Sequence, residues 1–271
     1  MKRRSGKVIS MVLALMMLAS CSKTDVADTE ERTEATADTL KVEYTETVVL
    51  TETQAESEAE PTEQTEDVLP QTLGYITDDE TFIRLRMKNI MQESIGMYYG
   101  CEAVSLAIAL KYYGYDADPV ELFTEHMKSG AAGVANPFYS YVGDPRDNSG
   151  FGCYAPCAVR CANSYLESVG SPLRAKDISG ADMDEIKSYL WEGKPVVIWG
   201  TLDMKPSDVL AVWRFGGNPV YWYNLSHCVV LSGVFDDLFF VCDPMEGHVR
   251  YDVKDVERSY NQIYTQALVI E

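Results

Sequence analysis

Residues 98–110 have the sequence YYGCEAVSLAIAL, in which a cysteine between a glycine and a glutamate directly precedes an apolar run. The helical spacing of that run predicts a helix over residues 101–113, ended by Gly114. Cys101 would then lie at the N-terminus of the helix, where backbone N–H groups and the helix dipole favour a thiolate. We therefore expect a thiol pKa well below the free value of about 8.5, as in a reactive cysteine.

Outward from this segment, the pattern predicts helices first and strands afterwards. Further helices are expected from residue 118 and over residues 155–168 and 182–191, with a short one from residue 252. Strands are expected over residues 195–199, 220–223, 227–234, 238–242 and 266–270, the third and fourth forming a hairpin around residues 235–237. This order predicts an α+β fold with an antiparallel sheet in the C-terminal half.

The first twenty residues are typical of a secretory signal. Four basic residues precede an apolar run, which is shorter than the roughly 20 residues of a membrane-spanning helix. Residues 18–21, Leu-Ala-Ser-Cys, resemble the lipobox of bacterial lipoproteins, in which the cysteine thiol receives a lipid. We expect residues 1–20 to be a lipoprotein signal peptide and Cys21 to anchor the protein to the extracellular side of a bacterial cell membrane. The alternative is an ordinary signal peptide with an incidental cysteine.

Residues 21–72 are predicted to form a disordered acidic tether rich in Thr and Glu. Residues 22–70 contain fifteen Asp or Glu, three Lys or Arg and no Gly, and such a segment cannot bury enough apolar surface to fold. Loss of the signal, with its four basic and no acidic residues, would take the formal net charge from −19 to −23. So acidic a protein is a poor candidate for binding nucleic acid. Residues 73–271 are long enough for one folded domain.

A cysteine nucleophile needs an imidazole base and a group that orients the base. Of the three histidines, His126 lies in a polar helical segment and His248 in a turn, whereas His227 opens an apolar strand. If the hairpin turns at Phe235, His227 lies opposite Asp243, because each is eight residues from that point. The spacing alone leaves open that His227 is a core histidine and that Asp243 only caps a turn.

Motifs in a fixed order extend from about residue 87 to the C-terminus. They are Gln92, Gly100-Cys101-Glu102, Tyr113-Gly114, Gly143-Asp144-Pro145, GFGCYAP at 150–156, GKPVVIW at 193–199, HCVVLSG at 227–233 and Asp243-Pro244. This set resembles the peptidase family C-thirty-nine-like group. Its members are papain-like cysteine peptidase domains related to the bacteriocin-processing, double-glycine leader peptidases.

The resemblance implies a papain-like cysteine peptidase fold and a role for each matching residue. Cys101 would be the nucleophile, His227 the general base and Asp243 its orienter. Gln92 would hold the oxyanion with its side-chain amide, together with the backbone N–H of Cys101. The loop with Gly143, Asp144, Pro145 and Gly150 would form a wall of the substrate cleft.

The predicted function is that of a membrane-anchored cysteine hydrolase that cleaves a peptide or protein substrate through a thioester. An acyltransferase or a cell-wall amidase with the same triad is an alternative, as is a non-catalytic surface binding module. The bacteriocin-processing relatives are parts of export transporters, so their double-glycine specificity is not carried over. We expect a monomer without metal or cofactor, since neither a metal signature nor a phosphate-binding loop is present. A disulfide among Cys153, Cys157 and Cys161 stays open.

Overall fold

The computed structural model describes residues 72–76 and 81–271. The predicted signal peptide, Cys21 and nearly all of the predicted tether lie outside the described residues. In the described part the helices are α1 (Cys101–Tyr112), α2 (Pro119–Glu121), α3 (Ala155–Ser168), α4 (Met183–Trp191) and α5 (Val253–Gln262). Shorter turns of helix lie at Glu93–Ile95, Leu122–His126 and Leu202–Met204.

The strands of the described residues form one large sheet and two small ones. They are β1 (Thr72–Ile76), β2 (Thr81–Leu85), β3 (Ser129–Gly130), β4 (Tyr141–Val142), β5 (Ala175–Asp177), β6 (Val196–Thr201), β7 (Val209–Phe215), β8 (Asn218–Tyr223), β9 (Ser226–Phe235), β10 (Leu238–Asp243), β11 (Gly247–Asp252) and β12 (Ala267–Ile270). The large sheet has the order β1-β2-β9-β6-β12-β5, and β10 and β11 continue it beside β9. This combination of helices and antiparallel sheet confirms the predicted α+β fold.

Helices α2 and α4 begin at a side-chain cap that the sequence supplies. The Asp182 carboxylate accepts hydrogen bonds from the backbone N–H groups of Asp184 and Glu185, at 3.1 and 2.9 Å, and so caps α4. Helix α1 has no such side-chain cap, and its first ten residues are all buried. A helix that is buried all round is a core helix, so the nucleophile predicted at its N-terminus sits on a rigid element.

Strand β9 lies at the centre of the large sheet and pairs antiparallel with β2, β6 and β10. Its eight residues between the terminal ones are all buried. Gly233 allows β2 to approach, because a Cβ atom there would lie only 2.2 Å from the carbonyl oxygen of Ile83. The strand that carries His227 is therefore held on both edges.

The β9–β10 hairpin corrects the predicted register. The pairing shifts by one residue at Ser232, which is the extra residue of a β-bulge. Beyond the bulge Cys242 pairs with Val230, so Asp243 is not directly opposite His227 but two residues along. Because residues two apart share a face, the bulge leaves both side chains on the same side of the sheet. Without it they would point to opposite faces.

Several strands were not predicted, among them β2, β5, β7 and β11. Strand β7 pairs with β8 in a separate antiparallel hairpin, in which Leu210 and Val212 are exposed. The sequences of β2, β5 and β11 lack the uninterrupted apolar runs that identified β6 and β9. Strand β7 does begin with such a run, VLAVW, which the sequence analysis did not use. None of the helices in residues 72–76 and 81–271 is long and apolar enough to cross a bilayer.

Candidate active site

Helix α1 and strand β9 bring Cys101 and His227 to one cavity. Cys101 is the first residue of α1, and its backbone N–H belongs to the first turn, where an intrahelical acceptor is lacking. The Ser105 hydroxyl, one turn further on, donates to the backbone carbonyl of Cys228 at 2.9 Å. This bond fixes the helix against the strand beside His227. Both Cys101 and His227 line a cavity of about 360 Å³.

The imidazole of His227 is oriented by a carboxylate. His227 Nε2 lies 2.8 Å from Asp243 Oδ1, and the two side chains are 3% and 1% exposed. An Nε2–H that donates to the carboxylate fixes the tautomer in which Nδ1 has a free lone pair. Burial raises the pKa of Asp243, but the hydrogen bond and charge of His227 and the N–H groups of Met245 and Glu246 outweigh it, so that the pKa is lowered. Asp243 is therefore an anion at neutral pH.

The predicted oxyanion residue Gln92 is tied to the same strand end. Its backbone N–H donates to the Pro244 carbonyl at 2.9 Å. Three residues earlier, Asn89 Nδ2 donates to the Asp243 carbonyl at 2.9 Å. The side-chain amide of Gln92 donates from Nε2 to the Tyr98 carbonyl at 2.8 Å, which leaves the second Nε2 hydrogen for the cavity that Gln92 lines.

The wall of the cavity is mostly aromatic and aliphatic. Its apolar lining residues are Tyr98, Tyr99, Phe151, Leu202, Leu210, Trp222, Tyr223, Leu225 and Met245. Of the predicted cleft loop, Gly150 lines the cavity, whereas Gly143, Asp144 and Pro145 lie outside the lining. Pro145 supports the lining residue Tyr99, since the Pro145 carbonyl accepts the backbone N–H of Tyr99 at 2.9 Å. Contact of this loop with substrate stays a prediction.

The expected low pKa of Cys101 is corrected by the structure. The side chain is only 8% exposed, and its thiol donates to Glu102 Oε2 at 3.4 Å. Burial and then the charge of Glu102 raise the pKa of Cys101 well above its usual value. The helix N-terminus was expected to favour the thiolate, but desolvation and an adjacent carboxylate act in the opposite direction. In this state of the molecule the cysteine is a protonated thiol.

The other cysteines and histidines lie elsewhere. All six cysteines of the described residues are free and buried, so that part of the chain has no disulfide, including among Cys153, Cys157 and Cys161. His126 contacts Ser164 at 3.0 Å, and neither residue lines the cavity. His248 lies on β11 across from Cys242. Within residues 72–76 and 81–271, no group of three or more His, Cys, Asp or Glu side chains could hold a metal ion.

For three residues of the site, no individual role was predicted from the sequence. Glu102 was quoted only as part of a motif, and Asn89 and Ser105 were not considered. Ser105 could have been found, because a serine four residues after the nucleophile lies on the same face of a helix. Asn89 had no comparable signal, since its partner is 154 residues away in the chain.

Comparisons with known proteins identify the family of the chain. A family model described as the Peptidase_C39 like family matches residues 84–268. The uncharacterized protein YvpB of Bacillus subtilis (strain 168) is 28% identical over 182 residues, which cover 65% of this chain and 70% of YvpB. A crystal structure described as a candidate C39-like peptidase from Bacillus anthracis is 26% identical, with a TM-score of 0.60 and coverage of 69% of this chain and 98% of that one.

A second solved structure is a double glycine motif protease from an AMS/PCAT transporter in complex with its leader peptide. It is 18% identical, with a TM-score of 0.41, and the match covers 69% of this chain and 91% of that one. Because the family model spans more than half of the sequence, the chain belongs to the Peptidase_C39 like family.

Proposed function

We propose that the chain is a membrane-anchored, extracellular cysteine peptidase with Cys101, His227 and Asp243 as its catalytic triad. Family membership supports a cysteine peptidase-like hydrolase. The observation that carries the finer assignment is the shared cavity, because Cys101, His227 and Gln92 all line it. Asp243 Oδ1 lies 2.8 Å from Nε2 of His227, the ring nitrogen that the proposed proton transfer does not use. The proposed nucleophile, base and oxyanion donor thus line one cavity, and the proposed orienter contacts the base from outside the lining.

The first half of the reaction forms a thioester. Cys101 Sγ gives its proton to His227 Nδ1 and attacks the peptide carbonyl carbon. The carbonyl oxygen becomes an oxyanion, which the Gln92 Nε2–H and the Cys101 backbone N–H stabilise. Removal of one such donor typically costs about 3 kcal/mol of the activation free energy. His227 then passes its proton to the leaving nitrogen as the C–N bond breaks, and the acyl group stays on Sγ.

The second half returns the enzyme to its starting state. Water gives a proton to His227 Nδ1 and its oxygen attacks the thioester carbon. The C–S bond breaks, the product leaves with a new carboxyl group, and His227 returns a proton to Sγ. Asp243 takes up no proton in either half, because its role is to orient the ring and to stabilise the imidazolium charge.

The cavity favours a peptide with an apolar side chain near the cleaved bond. Its lining is mostly apolar, and apolar pockets with a few polar groups are typical ligand sites. The Leu210 side chain, which is 56% exposed, would meet such a substrate at the mouth of the cavity. Substrates would be met outside the cell, because we propose that a lipid on Cys21 holds the protein on the outer face of the membrane.

The test of this function is a comparison of the surface proteome of cells that express the full chain or its Cys101→Ala variant. Peptidase activity predicts new protein N-termini that appear with the full chain and disappear with the variant. Product analysis with an added amine acceptor separates hydrolysis from acyl transfer, since a transferase would give an amide with that acceptor. Identical N-termini in the two strains would overturn the peptidase proposal. The Cys21→Ala variant should release the protein from the membrane or leave its signal uncleaved.

A further inference from the structure

Glu102 is a buried carboxylate that the proposed mechanism does not use. It follows the nucleophile directly in α1 and is 4% exposed. No ion pair of the described residues includes it. A buried carboxylate without a cationic partner is costly, and such groups cluster at functional sites. Its position beside Cys101 therefore calls for a role.

Both oxygens of Glu102 have defined partners. Oε1 accepts the backbone N–H of Cys153 at 2.9 Å, and Oε2 accepts the Cys101 thiol at 3.4 Å. The chain leaves room for this carboxylate at Gly152, whose φ is +120° and where a Cβ atom would lie 2.1 Å from Oε1. A side chain at residue 152 would displace the carboxylate. The loop before α3 and the N-terminus of α1 thus build one receptacle for it.

The surroundings of Glu102 bring the pKa of its carboxyl group close to neutral pH. Burial raises its pKa to about 7, although the N–H of Cys153, its own backbone N–H, the Cys101 thiol and His227 act in the opposite direction. The titratable groups that face it come from α1, β4, β9 and the segment before α3. They are Cys101, Tyr141, Cys153, Tyr154, His227 and Cys228. Of these, only His227 can carry a positive charge.

We propose that Glu102 is a positioning residue that holds the Cys101 thiol protonated and turned towards its carboxylate until substrate is bound. This inference rests on the proposed function for the role of His227. When the thiol leaves Oε2, its proton passes from Sγ to His227 Nδ1, and Glu102 keeps its bond to the Cys153 N–H throughout. A charged carboxylate opposes a thiolate at the same spot, so the resting cysteine is protected from alkylation and oxidation.

The test is the pH profile of Cys101 alkylation in the full-length protein. Iodoacetamide labelling is followed by peptide mass spectrometry for the unaltered chain, Glu102→Gln and the control Glu93→Gln, which removes an exposed acid from the turn beside Gln92. In Glu102→Gln the amide oxygen can keep the Cys153 bond, and the amide N–H points at sulfur and favours the thiolate. We expect its labelling midpoint to fall by at least about one pH unit, or about tenfold faster labelling at pH 7. Glu93→Gln should match the unaltered protein.

An unchanged or raised midpoint in folded Glu102→Gln would overturn the inference. If that variant does not fold, infrared spectroscopy of the unaltered protein supplies the second measurement. A carboxyl band that titrates near pH 7 should shift in frequency in Cys101→Ala, since Glu102 loses the thiol as a donor. A band whose frequency is the same in Cys101→Ala would contradict the contact between the Cys101 thiol and Glu102. Hydrolysis that persists in Cys101→Ala would instead overturn the proposed function, so the two failures are distinguishable.

Discussion

Strand β10 has a thiol–imidazole contact on one face and a carboxylate–imidazole contact on the other. Cys242 Sγ lies 3.6 Å from His248 Nδ1, whereas the next residue, Asp243, bonds His227 at 2.8 Å. Cys242 thus contacts an imidazole directly, while the thiol of Cys101 is bonded to Glu102. Proximity of sulfur and imidazole alone would therefore select Cys242 and not Cys101, the proposed nucleophile.

The surroundings of the two histidines differ in the features that catalysis needs. Asp243 supplies a negative charge to His227. Burial lowers the pKa of His248, and the cation Arg84 lowers it further. The Cys242 side chain is fully buried, and burial raises its pKa to about 11. The comparison teaches that an orienting anion and a cavity lined by both the thiol and the imidazole, more than a short S···N distance, define the candidate site, since His248 lines a cavity that Cys242 does not reach.

The largest expected effect separates the two cysteines. With a peptide substrate, Cys101→Ala should lower kcat/KM by about 10⁴-fold or more, because no other group in the cavity can form the thioester. Cys242→Ala should stay within about twofold of the unaltered protein, since its sulfur lies outside the cavity that Cys101 and His227 line. Steady-state hydrolysis assays on the purified full-length variants check both values.

The matched histidine variants serve as the control for that pair. His227→Ala should lower kcat/KM by about 10³-fold, within the range of general-base catalysis, while His248→Ala should change it little. Comparable losses in Cys242→Ala and His248→Ala, with intact circular dichroism, would show that the wrong face of β10 has been assigned to the chemistry.

A second prediction contrasts the two buried carboxylates, whose pKa values move in opposite directions. Glu102 has a raised folded-state pKa, about 7 against an ordinary 4.5. Its penalty on the free energy of unfolding is therefore absent below pH 4.5 and complete above pH 7. Glu102→Gln removes it, so the variant should gain up to about 3 kcal/mol at pH 8 and about nothing at pH 4. Urea unfolding at pH 4, 6 and 8 measures this difference.

The contribution of Asp243 to the free energy of unfolding depends on pH with the opposite sign. Its folded-state pKa is lowered, so its favourable contribution is present above its ordinary pKa and is lost as the pH falls through the lowered value. Glu93→Gln, an exposed substitution of the same type, is the control for the loss of an acidic side chain. A Glu102→Gln gain that does not grow between pH 4 and 8 would contradict a buried, charged Glu102.

The sequence was sufficient for the elements with strong local signals. The apolar run after Cys101 identified α1, and the predicted bounds of α3 were those observed, residues 155–168. The relation of His227 to Asp243 was predicted for the wrong register, because β9 and β10 turn between Phe235 and Leu238 and not at Phe235. The bulge at Ser232 was not predicted either, since it depends on how β9 packs against its neighbours. The low pKa expected for Cys101 failed for a similar reason. The helix N-terminus is a local feature, whereas the desolvation of the thiol arises from segments distant in sequence.

The smallest expected effect concerns what Asp243 supplies to His227. All three of its side-chain hydrogen bonds end on Oδ1, from His227 Nε2 at 2.8 Å, Met245 N at 2.7 Å and Glu246 N at 3.2 Å. Oδ2 is buried and accepts no hydrogen bond from the described residues. An asparagine can therefore keep every bond with its amide oxygen in place of Oδ1. The His227 tautomer survives, and only the negative charge is lost.

We accordingly expect Asp243→Asn to lower kcat/KM by about tenfold, or about 1.4 kcal/mol of transition-state stabilisation. Asp243→Ala, which removes the orienting bond as well, should lose about 10³-fold. Hydrolysis assays on both variants, with the exposed Glu246→Gln as control, measure the difference. An asparagine variant as inactive as the alanine variant would mean that the charge of Asp243, and not its hold on the ring, is what separates His227 from His248.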